Sequence, residues 1–147
     1  MLIGIMGENC SGKSALAEAL RDALRAELVT GRDYLRLAKS ESMALALFRQ
    51  RLSAAVTGED LIYVIAEREL LKLLPEGAVR ILVSADLDTV KARFRARMRG
   101  NLPEPVERML ERNHGCFDAE PCDYRYDGVG GDPAQLAELL KQRKAAR

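Results

Sequence analysis

The chain has 147 residues, 23 of them basic and 22 acidic, with a formal net charge of +1. That balance supplies no field to draw nucleic acid or a membrane surface, and no apolar run approaches the ~20 residues a spanning helix needs. Its 3 cysteines form no disulfide framework. The first apolar strand starts at residue 2 and leaves no room for a secretory leader, so a reducing cytoplasm is the expected setting. The length suits one domain with its own core.

Leu2-Ile3-Gly4-Ile5-Met6 is a continuous apolar run and predicts a buried strand. It leads directly into Gly7-Glu8-Asn9-Cys10-Ser11-Gly12-Lys13-Ser14, which satisfies the phosphate-loop pattern G-x-x-x-x-G-K-[ST] in full. A helix over 13–27 follows, with Leu16, Leu20 and Leu24 on one face. Strand, glycine loop and helix are the context in which this motif binds a nucleoside triphosphate. Gly7 and Gly12 let the backbone curl until successive N–H groups face one concavity at a helix N-terminus. Lys13 is placed to reach the β- and γ-phosphates, and the Ser14 hydroxyl to ligate magnesium. Gly7, Glu8, Asn9, Cys10, Ser11, Gly12, Lys13, Ser14 and Ala15 are therefore the candidate set for ATP and Mg2+.

Residues 28–30 predict a short second strand ending at Gly31. Segments 33–39 and 42–56 read as helices, the second with Leu45, Phe48, Leu52 and Val56 along one face. Leu61-Ile62-Tyr63-Val64-Ile65 is an apolar strand of the kind found in a sheet covered on both faces. A helix over 67–74 ends at Pro75-Glu76-Gly77, and 79–83 gives the next strand. A helix over 87–99 carries Leu87, Val90, Phe94 and Met98. Beyond Gly100 and two prolines come a helix to about 113, a weak strand near 123–127 and a helix over 133–143, capped by Asp132 with Pro133 in its first turn. The alternation implies an α/β/α sandwich around a parallel sheet of about five strands. The phosphate loop then lies at the sheet's carboxyl edge.

Arg93, Arg95, Arg97 and Arg99 alternate along the helix that ends at Gly100. Arg93 and Arg97 flank one side of its apolar stripe, Arg95 and Arg99 the other. Residues 97–105 thus read as a short arginine-rich lid, with Arg97 and Arg99 able to neutralise charge on a transferring phosphate. Asp33, just past the second strand, is a candidate to orient an acceptor hydroxyl. No aspartate ends strand 61–65, which leaves Glu67 as the nearest substitute for a magnesium-linked carboxylate. His114, Cys116 and Cys122 lack the close C-x-x-C pair of a structural zinc site and are assigned none.

With these residues in place the layout resembles the small P-loop kinases, and its middle is most similar to cytidylate kinases. Their Thr-Gly-Ala-Met-Tyr-Arg segment corresponds to Thr30-Gly31-Arg32-Asp33-Tyr34-Leu35-Arg36, and their Gly-Arg-Asp to Glu67-Arg68-Glu69. Arg112 and Phe117 are spaced as in the segment after the lid of shikimate kinases, and Phe48-Arg49 resembles that family's acceptor-binding pair. The Gly-Gly-Gly turn of that family is replaced here by Ala66-Glu67-Arg68-Glu69, which points away from shikimate. The resemblance implies ATP-dependent transfer of a phosphoryl group to a small acceptor, a nucleotide or nucleoside, by a monomer or homodimer. It places Lys13, Asp33, Arg97, Arg99 and Arg112 in catalysis, and Asp33, Tyr34, Arg49, Arg68 and Glu69 at the acceptor. By the same resemblance, Gly128-Val129-Gly130-Gly131 is a candidate base-binding loop. The competing expectation is a regulatory nucleotide-binding module or slow NTPase, although the Asn-Lys-x-Asp of GTPase switches is missing.

Overall fold

The computed structural model describes residues 1–146. Among these, five strands form one sheet: β1 (Leu2–Met6), β2 (Glu27–Thr30), β3 (Leu61–Ile65), β4 (Val79–Ser84) and β5 (Tyr124–Asp127). Their spatial order is β2-β3-β1-β4-β5, with every pairing parallel. Every residue of β1 and β3 is buried. This explains their unbroken apolar sequence, because a parallel sheet covered by crossover helices has no wet face. The described α-helices are α1 (Lys13–Leu24), α2 (Glu41–Ala55), α3 (Leu87–Arg97), α4 (Glu104–Asn113) and α5 (Pro133–Ala145). None of them is long and apolar enough to cross a membrane.

Strand alternation splits the core in two. Ile3, Ile5, Ile62, Val64, Ile81 and Val83 pack under α1 and α5, where Leu16, Leu20, Leu136 and Leu140 are buried. Leu2, Met6, Tyr63 and Ile65 face α2 and the leucines that follow β3. Phe48 of α2 centres this second layer. Its ring stacks on Tyr34 at 5.0 Å and meets Tyr63 edge-on at 5.0 Å. Phe48→Ala is therefore expected to destabilise the fold by about 3–5 kcal/mol, read as a lower urea midpoint at an unchanged m-value.

The helix starts follow their caps. Ser40 Oγ accepts the Met43 N–H, Asp86 accepts that of Thr89, and Asp132 accepts those of Ala134 and Gln135. Several ends differ from the periodicity. The first helix stops at Leu24 rather than residue 27, because Arg25 turns left-handed (φ 54°) and Glu27 already pairs in β2. Segments 33–39 and 67–74 are not α-helices but 3-10 turns, at Asp33–Leu37 and Arg68–Leu73. In the latter, Leu70, Leu71 and Leu73 are all buried. The helix over 87–99 ends at Arg97, and Arg99 and Gly100 take positive φ before the chain turns into α4.

Candidate functional site

The loop after β1 is shaped by what its backbone must do. A Cβ on Gly7 would sit 2.6 Å from the Val83 carbonyl oxygen, so no side chain fits there. Cys10 (φ 65°) and Gly12 (φ 107°) adopt the left-handed conformation, and α1 begins at once on Lys13. Alternating conformers of this kind gather N–H groups into a concave nest, which the positive end of the helix dipole reinforces. The first turn of α1 has neither a capping side chain nor an acidic residue, leaving its amides to an exogenous anion.

Lys13 is 7% exposed, and its Nζ donates to the Glu8 carbonyl at 3.1 Å. Burial pushes its pKa below the ordinary lysine value; the charge of Arg97 pushes further, while Cys10 and Glu8 oppose the shift. Ser14 and Ala15 are exposed at the start of α1, and Asn9 at the rim. Ser11 Oγ is buried beside Gly7 with no hydrogen-bond partner among the described residues. Amides, a desolvated ammonium and an exposed hydroxyl suit a nucleotide polyphosphate with its divalent ion. Among the described residues, no group of three or more His, Cys, Asp and Glu comes together as a metal site of its own.

The helices α3 and α4 form a hairpin against this loop. Cys10, 4% exposed, packs with Ala85, Val90 and Leu110. Arg93 donates to the Cys10 carbonyl at 3.1 Å and to the Gly128 carbonyl at 2.7 Å. It ties the phosphate loop to the loop after β5. Arg95, Arg97 and Arg99 are exposed, and among these Arg97 is the one whose charge acts on Lys13. Arg112 is exposed on α4 and lines a cleft of about 420 Å³ with Glu8, Asn9, Arg68 and Asn113.

The residues expected at an acceptor are placed in different settings. Asp33 is exposed at the start of its 3-10 turn, held there by the Tyr63 hydroxyl donating to the Gly31 carbonyl at 2.7 Å. Tyr34 is buried under α2 as Phe48's stacking partner, and Arg49 is exposed on α2. Arg68 reaches Glu120 at 3.2 Å, whereas Glu69 pairs with Arg32. Arg32 also holds Glu67 at 2.9 Å and keeps that carboxyl below the usual range. Two contacts were not anticipated from sequence. The first is the Arg93 bridge, for which the stripe through Val90 and Phe94 is the available signal, since it turns Arg93 inward. The second is a pairing of Glu8 with His114 Nδ1 at 2.9 Å, which no sequence spacing announces.

No protein-family model matches the sequence, and no curated protein matches it significantly. Solved structures do. An uncharacterized protein from Eubacterium ventriosum is 17% identical with a TM-score of 0.64, covering 100% of this chain and 99% of that one. Shikimate kinase from Bacteroides thetaiotaomicron is 15% identical with a TM-score of 0.62, over 96% and 98%. A gluconokinase from Sinorhizobium meliloti is 17% identical with a TM-score of 0.59, over 97% and 96%. At such identities the likeness speaks for architecture, and the architecture agrees from end to end: this chain has the three-layer α/β fold of the small P-loop kinases.

Proposed function

We propose that the protein is an ATP-dependent phosphotransferase that passes a γ-phosphoryl group to a small acceptor. The observation that carries this reading is Lys13. A nearly buried ammonium, repelled by Arg97 and lodged beside open backbone amides, is completed by the oxygens of a polyphosphate. When bound, Mg2+ neutralises charge on those oxygens, and the Ser14 hydroxyl is the group that would hold it. Arg97, Arg99 and the turn into α4 would close over the phosphates as a lid across residues 97–105. Arg93 fixes the spacing between the phosphate loop and the candidate base loop at Gly128.

We take the cleft between the phosphate loop, Arg68 and α4 as the acceptor site, because it opens beside Glu8 and Asn9 of that loop. Its arginines, Arg68 and Arg112, favour an acceptor that carries a phosphate or carboxylate, and within the nucleotide-type reading they favour a nucleotide over a nucleoside. Arg112→Ala is therefore expected to lower kcat/KM for the acceptor by about tenfold to a hundredfold, with the Mg·ATP Kd nearly unchanged. The assay is ADP formation with nucleoside monophosphates, nucleosides and sugar acids, each compared with basal hydrolysis. A parallel loss of ATP affinity would remove Arg112 from the acceptor. A second reading, a slow NTPase or regulatory module, is favoured by the region after β3, where Ala66 follows the strand and Glu67 is engaged by Arg32. Acceptor-independent ADP formation across the whole panel would select it.

A further inference from the structure

Glu8, in the second position of the phosphate loop, is engaged at both ends. Its main-chain carbonyl accepts Lys13 Nζ at 3.1 Å. Its carboxylate, 11% exposed, pairs with His114 Nδ1 at 2.9 Å. His114 is the residue at which α4 ends. One loop residue therefore touches both the phosphate-binding lysine and the C-terminal root of the helical hairpin. The other arm is fastened to the same loop midway along α3, through Arg93 and the Cys10 carbonyl. Burial raises the Glu8 pKa and the His114 contact draws it back, so the pairing matters to the carboxylate's charge.

We propose that Glu8 and His114 form a positioning pair that couples occupancy of the phosphate loop to the placement of α4 and residues 114–118. The inference rests on the proposed kinase function only for the identity of the nucleotide. Phosphate oxygens compete with the Glu8 carbonyl for the Lys13 ammonium. Once Lys13 turns to them, the Glu8 carbonyl keeps only the Ser11 N–H at 3.2 Å, and any shift of the Glu8 main chain is carried by its carboxylate to His114. Arg112 and Asn113 immediately precede His114 and line the cleft beside Asn9. Their position therefore follows the state of the phosphate loop without either residue touching Lys13.

The test is amide hydrogen exchange with and without saturating Mg·AMPPNP on the wild type, His114→Ala, His114→Asn and Glu8→Gln, with an AMPPNP titration and a melt for each. In the wild type, AMPPNP should slow exchange across residues 104–118 by about tenfold or more. His114→Ala should lose most of that protection while its AMPPNP Kd stays within about threefold of wild type. His114→Asn keeps an N–H donor near the Nδ1 position and should restore it. Protection retained in His114→Ala, lost equally in His114→Asn, or absent from the wild type overturns the pair. If His114→Ala shows no cooperative melt, Glu8→Gln, which keeps shape but drops the charge, is scored at saturating AMPPNP by protection alone, its loss supporting the pair and its retention overturning it. ADP formation with the acceptor panel is read separately, so a protein that proves not to be a kinase still gives an exchange result that decides for or against the pair.

Discussion

Lys13→Ala is expected to weaken Mg·ATP binding by about a hundredfold or more, about 2.7 kcal/mol, while the melting temperature holds or rises slightly. The two effects have one origin. The Lys13 ammonium is desolvated, faces the charge of Arg97 and has a main-chain carbonyl as its hydrogen-bond partner. Removing it relieves an electrostatic strain in the free protein. The same removal deprives the phosphates of their nearest charge. Equilibrium titration with Mg·ATP and a thermal melt check both halves. Wild-type affinity in the variant would take Lys13 out of phosphate binding.

Gly128→Ala should be the most damaging single methyl in the site. A Cβ there would lie 1.7 Å from the Ser11 carbonyl oxygen and 3.1 Å from that of Ser84. Both obstacles are backbone, and neither can swing aside as a side chain could. Gly128 is also held by its own N–H to Ser84 at 2.7 Å, and its carbonyl takes Arg93. The loop after β5 must therefore move off the phosphate loop, at about 3 kcal/mol or more. Chemical denaturation and nucleotide titration should both report the loss. Gly100→Ala is the control. Its φ of 88° strains an alanine, but nothing lies within 4 Å, so a stability loss of only about 1–2 kcal/mol is expected. Equal effects at the two positions would mean that the contact between the loops is incidental.

The sequence made the elements legible wherever one constraint dominated. β1 and β3 must be apolar throughout because both sheet faces are covered, and the phosphate loop leaves few alternatives for its backbone. The cap at Asp132 and the proline after it fix the start of α5. Other features depend on geometry that spacing does not encode. Arg68 and Glu69 are neighbours in the chain but point apart, one to Glu120 and the other to Arg32, so a motif that treats them as a unit overlooks their separate partners. Tyr34 aligns with a functional tyrosine by resemblance, yet the packing of α2 puts its ring under Phe48. The four arginines of α3 look equivalent in sequence. Only the phase of the helix against Cys10 distinguishes Arg93, which is fastened to backbone carbonyls, from Arg95, which is exposed.

The parallel topology also bears on how the chain acquires its shape. β1 carries the phosphate loop yet finds both of its neighbours far along the sequence: Leu2 pairs with Leu61, and Ile3 with Val79. A nascent chain ending short of β3 holds an apolar strand with nothing to pair with, and such distant parallel pairings form slowly. The loop acquires its curvature only when β3 docks, since the Gly7 N–H is fastened to the Ile65 carbonyl. On the proposed function, nucleotide would recognise the assembled sheet and not its precursors, and its binding would draw the population toward the finished state by mass action. Refolding in the presence of Mg·ATP should accordingly give a higher final yield while leaving the early collapse rate untouched, with the ligand acting as a late trap for correctly registered strands.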